Sequence, residues 1–236
     1  MTLSETQTSQ IAFARAAGFM FLFVDLADTV GISITGRFYA GTFAETAHQI
    51  VGAELLYRIG QSSLLVGSLA TVLLAMGLYV AVKPIDKNLA LLALLFRLVE
   101  ATIFGVTNFI GFALLKIYTS VDLSNAFNAK QLSALLSLNS GGTKGPAFNI
   151  AGLFFSIGSI LFFYLFVRSN YIPKFVSTLG LLGSVLVTIT CFAYLIWPQP
   201  PGWLQFGWAP VAVGEILAGL WLLIKGLNFD TRESRA

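Results

Sequence analysis

The chain has 236 residues, 56% of them hydrophobic and only 11% charged. An average soluble domain is about 25% charged, so a soluble enzyme is not expected, and a disordered chain and a coiled coil are excluded. The net charge of +3 comes from scattered basic residues, which excludes nucleic acid as a partner and leaves charge as an orientation signal.

A membrane-spanning helix needs roughly 20 mostly apolar residues, and six segments qualify. The first covers about 12–34 and the second about 55–82, ending at Lys83-Pro84. The third covers about 88–116, after the polar turn Lys83 to Lys87. The fourth covers about 146–167, with Pro146 in its first turn, where proline is tolerated. The fifth covers about 174–197, between Pro173 and Pro198, and the sixth about 208–226, with Pro210 near its start. No segment alternates with period two, so a barrel is not supported. The expected fold is all-α: a polytopic bundle of six transmembrane helices forming one membrane domain over residues 1–236.

The first segment also resembles a signal-peptide core, with Arg15 before an apolar run. No A-x-A site follows within a few residues and the apolar stretch resumes, so a retained span is expected. Two loops between spans are long. Residues 35–54 carry Arg37, Glu45 and the lone histidine His48, read as solvated. Residues 117–145 contain Phe127, Leu132, Leu135 and Leu136 behind Ser124. This pattern predicts a short amphipathic helix lying on the bilayer, or alternatively a lid. Gly141-Gly142-Thr143-Lys144-Gly145 lacks the phosphate-loop spacing. A loose echo between the hairpins around Lys83 and Arg168 is expected of any two membrane hairpins.

Lys and Arg near the span ends set orientation. About eight lie on the side holding the termini and about five on the other. The termini are therefore expected in the cytoplasm of a bacterial plasma membrane. Trp197, Trp203 and Trp208 would form an outer interfacial belt.

The informative residues are charges inside the spans. Asp25 lies ten residues past Arg15, Arg97 ten past Lys87, and Glu215 ten before Lys225. At about 1.5 Å per residue each is roughly 15 Å deep, and Asp28 and Glu100 lie about one turn further. All five therefore fall in the middle of a core about 30 Å thick. Asp25 and Asp28 are i,i+3, as are Arg97 and Glu100, so each pair shares a helix face. Ala14, Gly18, Ala101, Gly111, Ala218 and Gly219 on the same helices permit close approach. Four carboxylates against one guanidinium leave a deficit of positive charge. The surplus must protonate, bind a cation or face water. Further out, Glu54 and Arg58 are spaced to pair. Gln61, Ser62, Asn149, Gly152 and Ser156 either line a vestibule or bond helix to helix.

No H-E-x-x-H occurs, and one histidine and one cysteine cannot build a metal centre or a two-histidine haem site. No cofactor is indicated. Three motifs do carry a resemblance. Phe96-Arg97-Leu98-Val99-Glu100-Ala101 looks like an F-R-x-x-E-A signature. Tyr171 to Gly180 looks like a V-P-x-W-L-S-x-L-G turn, with Phe175 in place of the usual Trp. Glu215 to Gly226 looks like an E-x-x-x-G-x-W-L-x-x-K-G ending. Over nearly the whole chain the sequence resembles the uncharacterised bacterial integral-membrane family filed as domain of unknown function 4386. That resemblance implies a multi-span membrane protein and supplies no activity, substrate or cofactor.

The leading expectation is a pocket or proton-coupled pathway for a small polar or cationic ligand. Asp25, Asp28, Glu100 and Glu215 would be the protonatable or ligand-binding groups, with Arg97 as their counter-ion. One rival is a non-catalytic scaffold or sensor in which the charges form a structural clasp. The other is a lipid-modifying enzyme using a carboxylate base, ranked last because Arg97 is the lone central electrophile-stabilising group. The expected partners are the lipid bilayer and a small-molecule or ion ligand. Ligand identity and oligomeric state are left open.

Overall fold

Backbone polar groups in hydrocarbon must be satisfied within the chain, and a continuous helix does this. In the computed structural model, residues 5–38, 42–120 and 142–229 are described, with scattered positions between 122 and 134. The helices are α1 Glu5–Thr35, α2 Phe43–Gly52, α3 Glu54–Val82, α4 Lys87–Thr119, α5 Pro146–Ser169, α6 Lys174–Ile196 and α7 Ala209–Ile224. Six stretches are long and apolar enough to cross a membrane: all of these helices except α2, with a 3₁₀ turn, Gly202–Trp208, leading into α7. The protein is a multi-pass membrane protein.

Local signals set the helix ends. Asp86 caps α4 by accepting from the Asn88 and Leu89 amides at 3.1 and 3.0 Å. Pro146 opens α5, which closes on Asn170 in the left-handed conformation (φ 54°). Pro173 then starts α6, and Gly226 at φ 71° ends the last span. The third span runs to Thr119, about one turn past its expected end, and Tyr118 is buried there.

The spans form a closed ring in chain order: α1 beside α3, then α4, α5, α6 and α7, with α7 returning to α1. Lipid offers no hydrophobic drive for this, so helices associate through close packing. At Gly77, a side-chain methyl would lie 2.9 Å from Ala17 Cβ and 3.0 Å from the Phe13 carbonyl, so α1 and α3 nearly touch. At Gly214 a methyl would lie 2.8 Å from Gly180 Cα, so α6 and α7 do the same. Hydroxyls add interhelical bonds, including Ser63 to the Ala27 carbonyl at 2.8 Å and Thr188 to Ser156 at 2.9 Å. The main apolar core draws on Leu74, Leu78, Phe162, Phe163, Phe166 and Leu222. It lies toward the end where α1 begins and α7 finishes, called here the proximal end.

At the distal end the loop before α3 is not featureless. Thr42 and Glu45 form a capping box that starts α2. Ile50 and Thr46 of α2 are buried, and Phe43 packs on Tyr118 with ring centroids 5.2 Å apart. His48 is exposed on the opposite face. In the second long loop, Ser124, Leu135 and Leu136 lie outside the described residues. Within that loop, Asn128 and Gln131 exchange side-chain-to-amide bonds at 2.9 and 3.0 Å, the pattern of a helix start. Trp197 and Trp203 are exposed, as a belt requires, but Trp208 is not part of it. The turn Gly202–Trp208 tucks its last ring inward, where it stacks on Phe155 at 5.4 Å.

Candidate functional site

Two residues of α4, one turn apart on one face, supply the centre: Arg97 is 3% exposed and Glu100 5%. The Arg97 stem passes α5 at Gly158, where a methyl group would sit 3.0 Å from Cγ and 3.1 Å from Cδ. The missing side chain admits the arginine. Its guanidinium then lies over the Phe155 ring, 4.7 Å from the centroid, a cation–π contact.

Two polar groups touch that guanidinium and a third lies one hydrogen bond beyond. Nε lies 3.2 Å from Glu100 Oε2, a charge contact without hydrogen-bond alignment. Nη1 donates to Ser159 Oγ at 3.4 Å, and Ser159 Oγ donates to Glu215 Oε1, also at 3.4 Å. Arginine is a donor only, so the direction of this chain is forced from Arg97 through Ser159 to Glu215. One cation thereby links α4, α5 and α7.

The aspartates come from α1. Asp28 lies against α3 at Gly67, where a side-chain methyl would collide with its carboxylate. Asp25 faces α7. Gly18 contacts the backbone of Gly219 and Leu222, and Gly219 contacts Phe21 and Leu22. Following this antiparallel register outward puts Asp25 level with Glu215. Both aspartates are half-buried, whereas Glu215 is buried, and Asp25 Oδ2 is a buried oxygen without a hydrogen bond. Asp25 interacts electrostatically with Arg97 and Glu215, and Asp28 with Asp25, Arg97 and Glu100. All five charged residues singled out in the sequence therefore share one layer.

The crevice bordered by Arg97, Ser159, Phe21, Leu78 and Phe162 has no room for a water-sized sphere. Among the described residues no group of three or more His, Cys, Asp or Glu side chains is arranged to hold a metal.

The more distal polar residues bond within their own helix or across to a neighbour. Gln61 donates to the Tyr57 hydroxyl at 3.0 Å. Ser156 bonds Thr188, and Asn149 donates to the Gly145 carbonyl. Gly152 is covered by Cys191 and Trp208, and Ser62 faces outward. Glu54 and Arg58 pair at 2.6 Å on the surface. Arg168 meets Asp86 at 3.8 Å across the proximal end.

Sequence reading missed Ser159, Gly158 and Phe155. Ser159 lies nine residues before Arg168, about 14 Å by helical rise. The depth argument applied to hydroxyls as well as charges would have found it.

Fold and site together define a helical multi-pass membrane protein with a buried, carboxylate-rich charge layer. The chain belongs to the family described as Domain of unknown function (DUF4386), whose model matches residues 16–226. It is similar to an uncharacterized protein of Archaeoglobus fulgidus, 30% identical over 161 residues, covering 66% of this chain and 76% of the relative. No solved structure matches the chain significantly.

Proposed function

We propose that the layer formed by Asp25, Asp28, Arg97, Glu100 and Glu215 is a binding site for protons or a small cation. In this reading the chain is one membrane domain in a plasma membrane, with both termini cytoplasmic. The observation that carries it is the imbalance of four carboxylates around one guanidinium inside the ring. An ionised side chain at mid-membrane costs about 2.5–3.5 kcal/mol on insertion scales. One carboxylate is enough to neutralise Arg97. A clasp therefore leaves three acidic groups unexplained, and a site that takes up positive charge uses at least one of them.

The competing reading is a purely structural clasp, favoured by the lack of room beside Arg97 and Ser159. The two separate in one experiment. The purified protein is melted across a pH series, and at fixed pH with sodium, potassium, ammonium and tetramethylammonium. A site shifts its melting temperature with pH or with one cation at constant ionic strength. A clasp does not distinguish the cations, and any pH response it has survives Glu215→Gln.

A further inference from the structure

Resting on the site reading above, we propose that the positive charge it takes up is a proton, held jointly by Asp25 and Glu215 across the contact between α1 and α7. Three observations lead there.

The first is register. Gly18 and Gly219 bring the backbones of α1 and α7 together, with a methyl at Gly18 falling 2.7 Å from the Gly219 carbonyl oxygen. Seven residues along α1 and four residues back along α7 bring Asp25 and Glu215 to the same level, just distal of this contact. They lie on adjacent helices and interact electrostatically.

The second is the donor count. Ser159 receives its hydrogen bond from Arg97, so its own hydrogen goes to Glu215 Oε1. Oε1 is therefore an acceptor, and a proton on Glu215 belongs on Oε2. Asp25 Oδ2 is buried and has no hydrogen-bond partner. One proton on either carboxyl, donated to the other, satisfies both. The other groups facing this pair are Asp28 on α1, Arg97 and Glu100 on α4, and the Ser159 hydroxyl on α5. α3 and α6 bring no charged side chain to this layer among the described residues. Arg97 makes its close charge contact with Glu100 and is hydrogen-bonded to Glu215 only through Ser159, so Asp25 and Glu215 share its field with Glu100 and have no ion pair of their own.

The third is size. The space beside Arg97 and Ser159 does not admit a water-sized sphere, and no metal-holding arrangement exists among the described residues. A proton needs no cavity, whereas a sodium ion or an ammonium group does. Asp25, the half-buried member, is the side from which the proton arrives, and Glu215 the buried member that retains it.

The test is infrared spectroscopy of the purified full chain, reading the carbonyl band of a protonated carboxyl group across pH in water and in D2O. The wild type should show one such band that disappears at high pH. Glu215→Gln and Asp25→Asn should each remove that same band. The double variant should remove no more than either alone. Glu54→Gln, a surface control, should leave it in place. If Glu215→Gln does not fold, Ser159→Ala decides. Removing the donor to Oε1 should shift the band, and an unshifted band overturns the proposal. A band that survives Asp25→Asn or Glu215→Gln, or two bands each lost to one variant, also overturns it while leaving the site reading standing. If the wild type shows neither a band nor any response to pH or cations, the site reading itself falls.

Discussion

Replacing Gly18 by alanine places one methyl group between α1 and α7. That methyl would sit 2.7 Å from the Gly219 carbonyl oxygen and 3.0 Å from the Leu222 carbonyl carbon, with the Leu223 amide nitrogen closer still. These are backbone atoms, so no side chain can rotate away. Restoring ordinary contact means separating the helices by about 0.7 Å or more. Overpacking of this kind costs about 1–3 kcal/mol, set against a helix-propensity gain of about 1 kcal/mol for Gly to Ala. Gly105 is the matched control. It lies mid-helix in α4 with nothing within 4 Å of the added methyl, so Gly105→Ala should collect the propensity gain alone. For a chain of this size 1 kcal/mol corresponds to about 2–4 °C in melting temperature. Gly105→Ala should therefore melt about 2–4 °C above wild type and Gly18→Ala up to about 8 °C below it. Thermal scanning in one detergent, all three proteins side by side, reads the difference. Equal or greater stability for Gly18→Ala than for Gly105→Ala would refute the close α1–α7 contact, and with it the register that aligns Asp25 with Glu215.

Other outcomes follow from the same geometry. Glu100→Gln removes the carboxylate lying 3.2 Å from Arg97 Nε; it should cost about 3–5 kcal/mol, as removal of one partner of a buried pair does, read by thermal melting. Asp86→Ala should cost about 1 kcal/mol through loss of the α4 cap, whereas Arg168→Ala, which breaks an exposed 3.8 Å contact, should be nearly neutral by the same assay. The Thr42 amide and hydroxyl hold the Glu45 carboxyl below the usual glutamate range. The cap is therefore intact above about pH 4.3 and is lost as pH falls through the lowered value. Hydrogen exchange of the α2 amides should quicken on acidification in the wild type and be pH-insensitive in Glu45→Ala, once corrected for intrinsic rates. Cys191, fully buried against Gly152, should resist maleimide until the protein is denatured.

The spans were legible because hydrocarbon allows only long apolar helices and because Pro146, Pro173 and Pro210 mark where three of them start. The depth of the charged residues was legible for the same reason, since rise per residue converts position into depth. Ring order was not, because nothing in an apolar helix names its neighbour. That order follows from where Gly18, Gly77 and Gly214 let backbones touch. The helix α2 carries its start signal in Thr42-Phe43-Ala44-Glu45, a capping-box sequence, but its shortness and its charged residues give it the look of a loop. Ser159 and Gly158 escaped because neither a hydroxyl nor a missing side chain carries an insertion cost. Residue type alone puts Trp208 at the surface, whereas the 3₁₀ turn before α7 folds it onto Phe155.

The claim that the layer takes up positive charge, and does not merely neutralise Arg97, is tested most directly by Glu215→Gln melted across pH beside the wild type. Glutamine keeps the shape of the side chain and its acceptor for Ser159, and removes the ionisable proton. The account predicts a melting temperature close to that of the wild type at the low end of the series, with the wild type's pH dependence clearly reduced. A sharp loss of stability with the pH dependence unaltered would contradict it and leave a structural clasp.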